Sequence, residues 1–228
     1  WEIMFELIKL EWKKNKTSKY IRNAAITTAI LLVFIVGMAG ELAADTSMEA
    51  YGRSSINASV DLFVNMCYII FTGVMLATFV VGAYEKRTIN LMFSYPISRQ
   101  KILLSKMFAV WIFNFVAMVV SKGITYAILL MMNVPADTIQ FTSVSFWLDI
   151  LISSAAMVSI TYIALLIGVK MKSSKATIIT SIIIVCLTQG NIGTYTLKDN
   201  LSFYLILLLV SVLSVFLTIY NAETKDVM

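Results

Sequence analysis

Apolar residues run through this chain in long unbroken blocks, and short polar segments separate them. A helix needs roughly 20 apolar residues to cross about 30 Å of hydrocarbon at a rise of 1.5 Å per residue. Six blocks approach or reach that length, at 22–41, 61–84, 107–131, 147–169, 176–194 and 201–220. Barrel strands would alternate polar and apolar at every second position, so these blocks predict helices. Ahead of the first block, Phe5, Ile8 and Trp12 fall on one helical face, with Glu6, Lys9 and Lys13 opposite. That pattern predicts an amphipathic helix over 1–19 lying at the membrane interface, with a solvated helix as the plainer alternative. The expected fold is all-α: a polytopic membrane protein with one transmembrane domain over 1–228, six transmembrane helices and a polar loop at 85–106.

Composition agrees with the pattern. The 228 residues are 59% hydrophobic and include only two prolines, more apolar surface than one soluble core of this size needs. Charge sets the expected orientation. Of 18 Lys and Arg, all but Arg53, Lys122 and Lys198 fall in the segment before the first block, the 85–106 loop, the segment after the fourth block, or the tail. Because Lys and Arg mark inner loops, both termini are expected in the cytoplasm. The net charge of +5 is then mostly a topology signal. No basic soluble domain offers a nucleic-acid surface, so none is expected as a partner. Residues Trp1 to Lys19 lack the short apolar run and small-residue cleavage site of a signal peptide, and Met4 offers an alternative start.

Several chemistries are excluded by the residue types. The chain contains no His, and its two cysteines, Cys67 and Cys186, lie in separate blocks without paired spacing. Zinc sites and His-based triads are therefore excluded, and both thiols read as small packing residues. No GxxxxGK(S/T) run is present, so the chain holds no P-loop for ATP. Ser121 and Lys122 are adjacent and project about 100° apart on a helix, a poor nucleophile–base pair. An enzyme is not expected, and neither is a cofactor or metal bound by this chain.

The most informative segment is the basic island from Glu85 to Lys106. Thr88 to Ser94 can form a short helix with Ile89, Met92 and Phe93 on one side. Tyr95-Pro96 disfavours its continuation. Ser98 can cap a new helix that starts at Arg99 and runs into the third block as far as Met131, 33 residues or about 50 Å. Apolar side chains on a solvent-facing loop fit a partner's groove, or dip into the inner leaflet.

Glu85, Arg87-Thr88-Ile89, Leu91-Met92, Tyr95-Pro96-Ile97-Ser98-Arg99 and Lys106 resemble a loop motif of ABC-2-type transporter permeases. Arg87 stands where the family commonly has Gly, and the spacing to Pro96 is looser. The resemblance implies a cytoplasmic coupling helix between spans two and three that docks on a separate ATPase subunit. Glu85, Arg87, Thr88, Ile89, Met92, Phe93, Tyr95, Pro96 and Arg99 are then the expected ATPase-coupling residues. It further implies two copies of an ABC ATPase holding ATP and Mg, a second permease that is a copy or a sister chain, and a bacterial cell membrane. The chain is similar to small Gram-positive exporters of the lantibiotic-immunity and phenol-soluble-modulin type, which implies an amphipathic, antimicrobial or cytolytic peptide as cargo. A lipid or polysaccharide-precursor exporter is the alternative, and a nonenzymatic membrane sensor or anchor is a third reading.

Three further features are left open by the residues. Lys122, inside the third block, either faces a pathway or is snorkelled or paired with an external carboxylate such as Asp149. The run Thr188 to Thr194 with Lys198-Asp199-Asn200 reads either as a re-entrant element, as the family implies, or as a plain external turn. Gly73 with Ala77, Ala25 with Ala29, and Ala155 with Ser159 are small-residue pairs that suit close helix association between copies.

Overall fold

The computed structural model describes residues 2–14, 17–44, 55–85, 99–132, 143–192, 195–196 and 201–224. Helix α1 spans Glu2–Lys14 and α2 spans Thr17–Ala44. Helix α3 (Ser55–Leu76) passes through a π-helical segment, Ala77–Val81, into the short α4 (Gly82–Glu85). Then come α5 (Arg99–Met131), α6 (Val144–Ile160), α7 (Tyr162–Met171), α8 (Ser174–Gln189) and α9 (Leu201–Thr224). Among the described residues five helical stretches are long and apolar enough to cross a membrane, and α8 is a shorter apolar helix. The architecture is that of an all-helical, multi-pass membrane protein.

Local chemistry explains the helix boundaries. Thr161 separates α6 from α7, and its hydroxyl donates to the Met157 carbonyl at 2.9 Å, a back-bond that bends helices. Lys172 ends α7 in the left-handed region at φ 48°. Ser173 is extended and accepts from the Ala176 N–H, capping α8. Helix α8 stops at Gln189, short of the block boundary at 194, because Gly190 turns extended. Beyond it, Asn191–Ile192 (β1) pairs antiparallel with Tyr195–Thr196 (β2). The described part of this region is thus a two-residue ladder, not a re-entrant helix.

The described chain divides into two compact units. One comprises 1–17, 68–114 and 156–228, the other 18–67 and 115–155. In the first, α7 packs against both α8 and α9. Two glycines permit the closest approaches to α8: a Cβ on Gly73 would run into Ser181, and one on Gly168 into Thr177. The Gly73–Ala77 pair is therefore occupied within the chain, with Ala77 itself buried, and is not an interface between copies. The second unit is built on buried Ile35, Val60, Val64, Met118 and Leu129, with Phe34 edge-on to Phe63 and Tyr126 edge-on to Phe146.

Apolar side chains also cover the outside. Val33 of α2 is 76% exposed and Phe216 of α9 is 66% exposed, and Ile26, Ile30, Leu205, Leu209 and Val212 accompany them. Water would tolerate no such continuous apolar faces on two long helices, whereas lipid favours them.

Candidate functional site

Several polar side chains of the first unit meet near the helix ends that flank residues 86–98. Glu85 ends the stem that enters the loop, and its carboxylate accepts from both the backbone N–H (3.2 Å) and the hydroxyl of Ser174. A carboxylate at that position satisfies an orphan N–H and lies at the positive end of the α8 dipole. The Ser174 hydroxyl also lies 3.3 Å from the Ala77 carbonyl at the start of the π segment. Glu85 thus fastens the loop's entry to the N-terminus of α8.

Lys106 performs the equivalent task on the exit stem. Its ammonium donates to the Phe79 carbonyl at 3.2 Å and lies 3.9 Å from a Glu11 carboxylate oxygen. Lys106 is 6% exposed and Glu11 8%. The π segment explains the carbonyl: i→i+5 bonding leaves backbone oxygens misaligned with the regular ladder, and a side-chain donor can then reach one. Helix α1 is held by a second contact, from the Trp12 indole N–H to the Ala109 carbonyl at 3.2 Å. Ile8, Glu11 and Trp12 therefore form its packed face, while Lys9 and Lys13 are exposed. Further along α5, Tyr162 donates to the Met107 carbonyl at 2.7 Å and Trp111 to the Ser159 hydroxyl at 3.1 Å.

Of the residues expected to couple to a partner, Glu85 is placed here and Arg99 opens α5, where the proline and the Ser98 cap put the helix start. Arg87, Thr88, Ile89, Met92, Phe93, Tyr95 and Pro96 lie outside the described residues. Glu11, Phe79 and Ser174 carried no sequence signal of their own. A main-chain acceptor such as Phe79 has no residue-type signature.

Lys122 belongs to the second unit. It is fully buried and donates to Asp61 at 2.7 Å. Asp149, the example carboxylate offered by the sequence, is exposed on α6, and the ion pair is made with Asp61 of α3. Beside it, Ser121 lies 3.3 Å from the Thr28 hydroxyl of α2. One turn from Asp61 on α3, Asn65 is buried with neither side-chain polar atom hydrogen-bonded. Cys186 is exposed rather than packed. Among the described residues no group of His, Cys, Asp or Glu is arranged to hold a metal.

The long apolar helices, the outward apolar faces and the polar joints confined to helix contacts define the class as a multi-pass membrane protein without a recognisable catalytic centre among the described residues. A profile of the ABC-2 family transporter proteins matches residues 7–188, and the chain belongs to that family. It is 24% identical over 225 residues to the uncharacterized protein YcbO of Bacillus subtilis (strain 168), covering 96% of this chain and 99% of that one. No solved structure matches.

Proposed function

We propose that this chain is the membrane-spanning subunit of an ATP-driven exporter whose ATP is hydrolysed by separate subunits. In this reading those subunits dock on the 86–98 loop at the cytoplasmic face, through Ile89, Met92 and Phe93, with Arg87, Thr88, Tyr95, Pro96 and Arg99 framing the knob. Two ATPases and two permease chains, identical or sister, form the assembly in a bacterial cell membrane with both termini inside. The cargo is an amphipathic peptide, moved as ATP binding and release rock the permeases between two states.

The observation that carries the reading is the anchoring of both loop stems. Glu85 is bonded to α8, and Lys106 joins the π segment to α1. A push on the loop therefore cannot be absorbed by its stems without breaking polar contacts.

The test is co-purification of the tagged chain from its native membrane in mild detergent, with identification of bound chains and an ATPase assay. Recovery of a P-loop ATPase that is lost or uncoupled with Phe93→Asp is the expected result. A lone, ATP-indifferent chain would refute the proposal, and stimulation by lipid-linked sugars but not peptides would replace the cargo.

A further inference from the structure

The second unit holds a polar constellation that the loop joints do not use. Lys122 of α5 pairs with Asp61 of α3, Asn65 lies one turn from Asp61 on α3, and Ser121 and Thr28 are linked alongside. An ion pair inside a membrane span is costly and marks function by default. Its two members differ in access. The Lys122 side chain is 0% exposed, whereas that of Asp61 is 28% exposed. A ligand reaching this pair meets a carboxylate and not an ammonium, so the group it presents is a cation.

Asn65 supplies an independent observation. It is 0% exposed, four residues from Asp61 on the same face of α3, and both its amide nitrogen and its amide oxygen lack a hydrogen-bond partner. Leaving a buried amide unsatisfied is costly, and replacement by an apolar residue of similar shape would remove that cost. A ligand that bonds it recovers the loss. The Asp61 carboxylate and the Asn65 carbonyl oxygen together make two acceptors one helical turn apart, a match for the several N–H donors of an ammonium or guanidinium group.

We propose that Asp61 and Asn65 form a cargo site for the positively charged group of a cationic amphipathic peptide, with Lys122 as the counter-ion that the cargo cation displaces or shares. This rests on the export reading above, since it assigns the polar contact made by that cargo. Lys122 keeps the carboxylate neutralised between cargo molecules. Occupied by a cargo cation, the carboxylate needs Lys122 less, so cation entry and rearrangement of the α3–α5 contact are linked.

Binding to the full chain in phosphatidylcholine nanodiscs tests this without any ATPase, so its failure is distinguishable from failure of the export reading. The probes are a neutral-dye-labelled Leu/Lys amphipathic peptide and its Leu/Gln counterpart, each corrected for empty discs. The Leu/Lys peptide is expected to bind saturably and the Leu/Gln peptide far more weakly. Asp61→Asn should weaken Leu/Lys binding roughly tenfold, the scale of one charge-assisted hydrogen bond. Lys122→Met should hold or tighten it, because the carboxylate loses its competitor. Asn65→Leu should raise the thermal midpoint while weakening binding about fivefold, opposite signs that a merely structural residue would not give. Equal binding of the two peptides, indifference to Asp61→Asn, or an Asn65→Leu variant that is more stable with binding untouched would overturn the proposal. Where Lys122→Met fails to fold, Asp61→Glu, which keeps the carboxylate, should retain Leu/Lys binding, and its loss would count equally against it.

Discussion

Replacing Lys106 by Met removes one ammonium from two acceptors at once, the Phe79 carbonyl at 3.2 Å and Glu11 at 3.9 Å. At an effective dielectric of 20, the attraction across 3.9 Å is about 4 kcal/mol. Desolvation of both charges offsets much of it, and the side chains, 7% and 10% exposed, are well withdrawn from solvent. The carbonyl bond, charge-assisted, adds roughly 1.5–3 kcal/mol. We expect Lys106→Met to destabilise the protein by about 2–4 kcal/mol, with Glu11→Gln costing less because the Phe79 bond survives. In a double-mutant cycle read by denaturant unfolding in mixed micelles, the coupling between the two should reach about 1–2 kcal/mol. In the proposed assembly, cargo-stimulated ATP hydrolysis by the separate subunit should fall in Lys106→Met while that subunit still co-purifies. Effects that add to within about 0.5 kcal/mol would show that the joint between α1 and the exit stem does not exist in solution.

Other perturbations follow from the same contacts. Glu85→Ala removes the external acceptor at the start of α8, and the first amides of that helix should exchange hydrogen about fivefold faster, the scale of roughly 1 kcal/mol for a lost cap. Unchanged exchange at 174–177 would refute the capping role. Gly73→Ala places a Cβ 2.5 Å from the Ser181 Cβ, so α3 and α8 must part, at roughly 1–3 kcal/mol. Ser181→Gly in the same chain should restore most of the loss, and a failure to rescue would move the explanation away from this contact.

The fold was legible because its signal is composition at long range. Blocks of apolar residues near span length require helices in lipid, and the start of α5 at Arg99 followed from Tyr95-Pro96 and Ser98. Fine structure was less legible for identifiable reasons. A π segment at 77–81 has no residue signature, since its sequence, Ala-Thr-Phe-Val-Val, suits an ordinary apolar helix. The sequence offers Asp149 only as one example of a carboxylate for Lys122, whereas the structure pairs it with Asp61. Pairing across helices depends on their rotation about their own axes, which hydropathy leaves undetermined. The Gly73–Ala77 pair misled in the same way: small residues announce a close approach but not whether the neighbour belongs to this chain or another.

The two buried lysines of α5 answer one constraint in two ways, and the difference bears on mechanism. A lysine in the middle of a span, as Lys122 is, costs about 2.5–3.5 kcal/mol on insertion scales, and a buried lysine nearer the helix start, as Lys106 is, still needs partners for its charge. Lys106 is compensated by a backbone carbonyl and by a carboxylate that is itself buried; neither can leave without moving a helix. That is a fixed joint, suited to carrying force from the loop stems into α1 and the π segment. Lys122 is compensated by Asp61, more than a quarter of whose side chain is exposed, so an incoming cation can reach the carboxylate and compete for it. In the proposed transporter that is an exchangeable joint, where cargo would be sensed. Both lysines are on α5: Lys106 is joined to the π segment in the first compact unit, and Lys122 to α3 in the second. In the proposed transporter, a cation that loosened Lys122 from Asp61 would alter the α3–α5 contact, and cargo occupancy and motor engagement would then be linked along α5, which carries both lysines. The coupling is reciprocal by necessity. If it operates, Lys106→Met should change the affinity for the Leu/Lys peptide as well as the response to ATP, and a Leu/Lys affinity identical in wild type and Lys106→Met would separate the two joints.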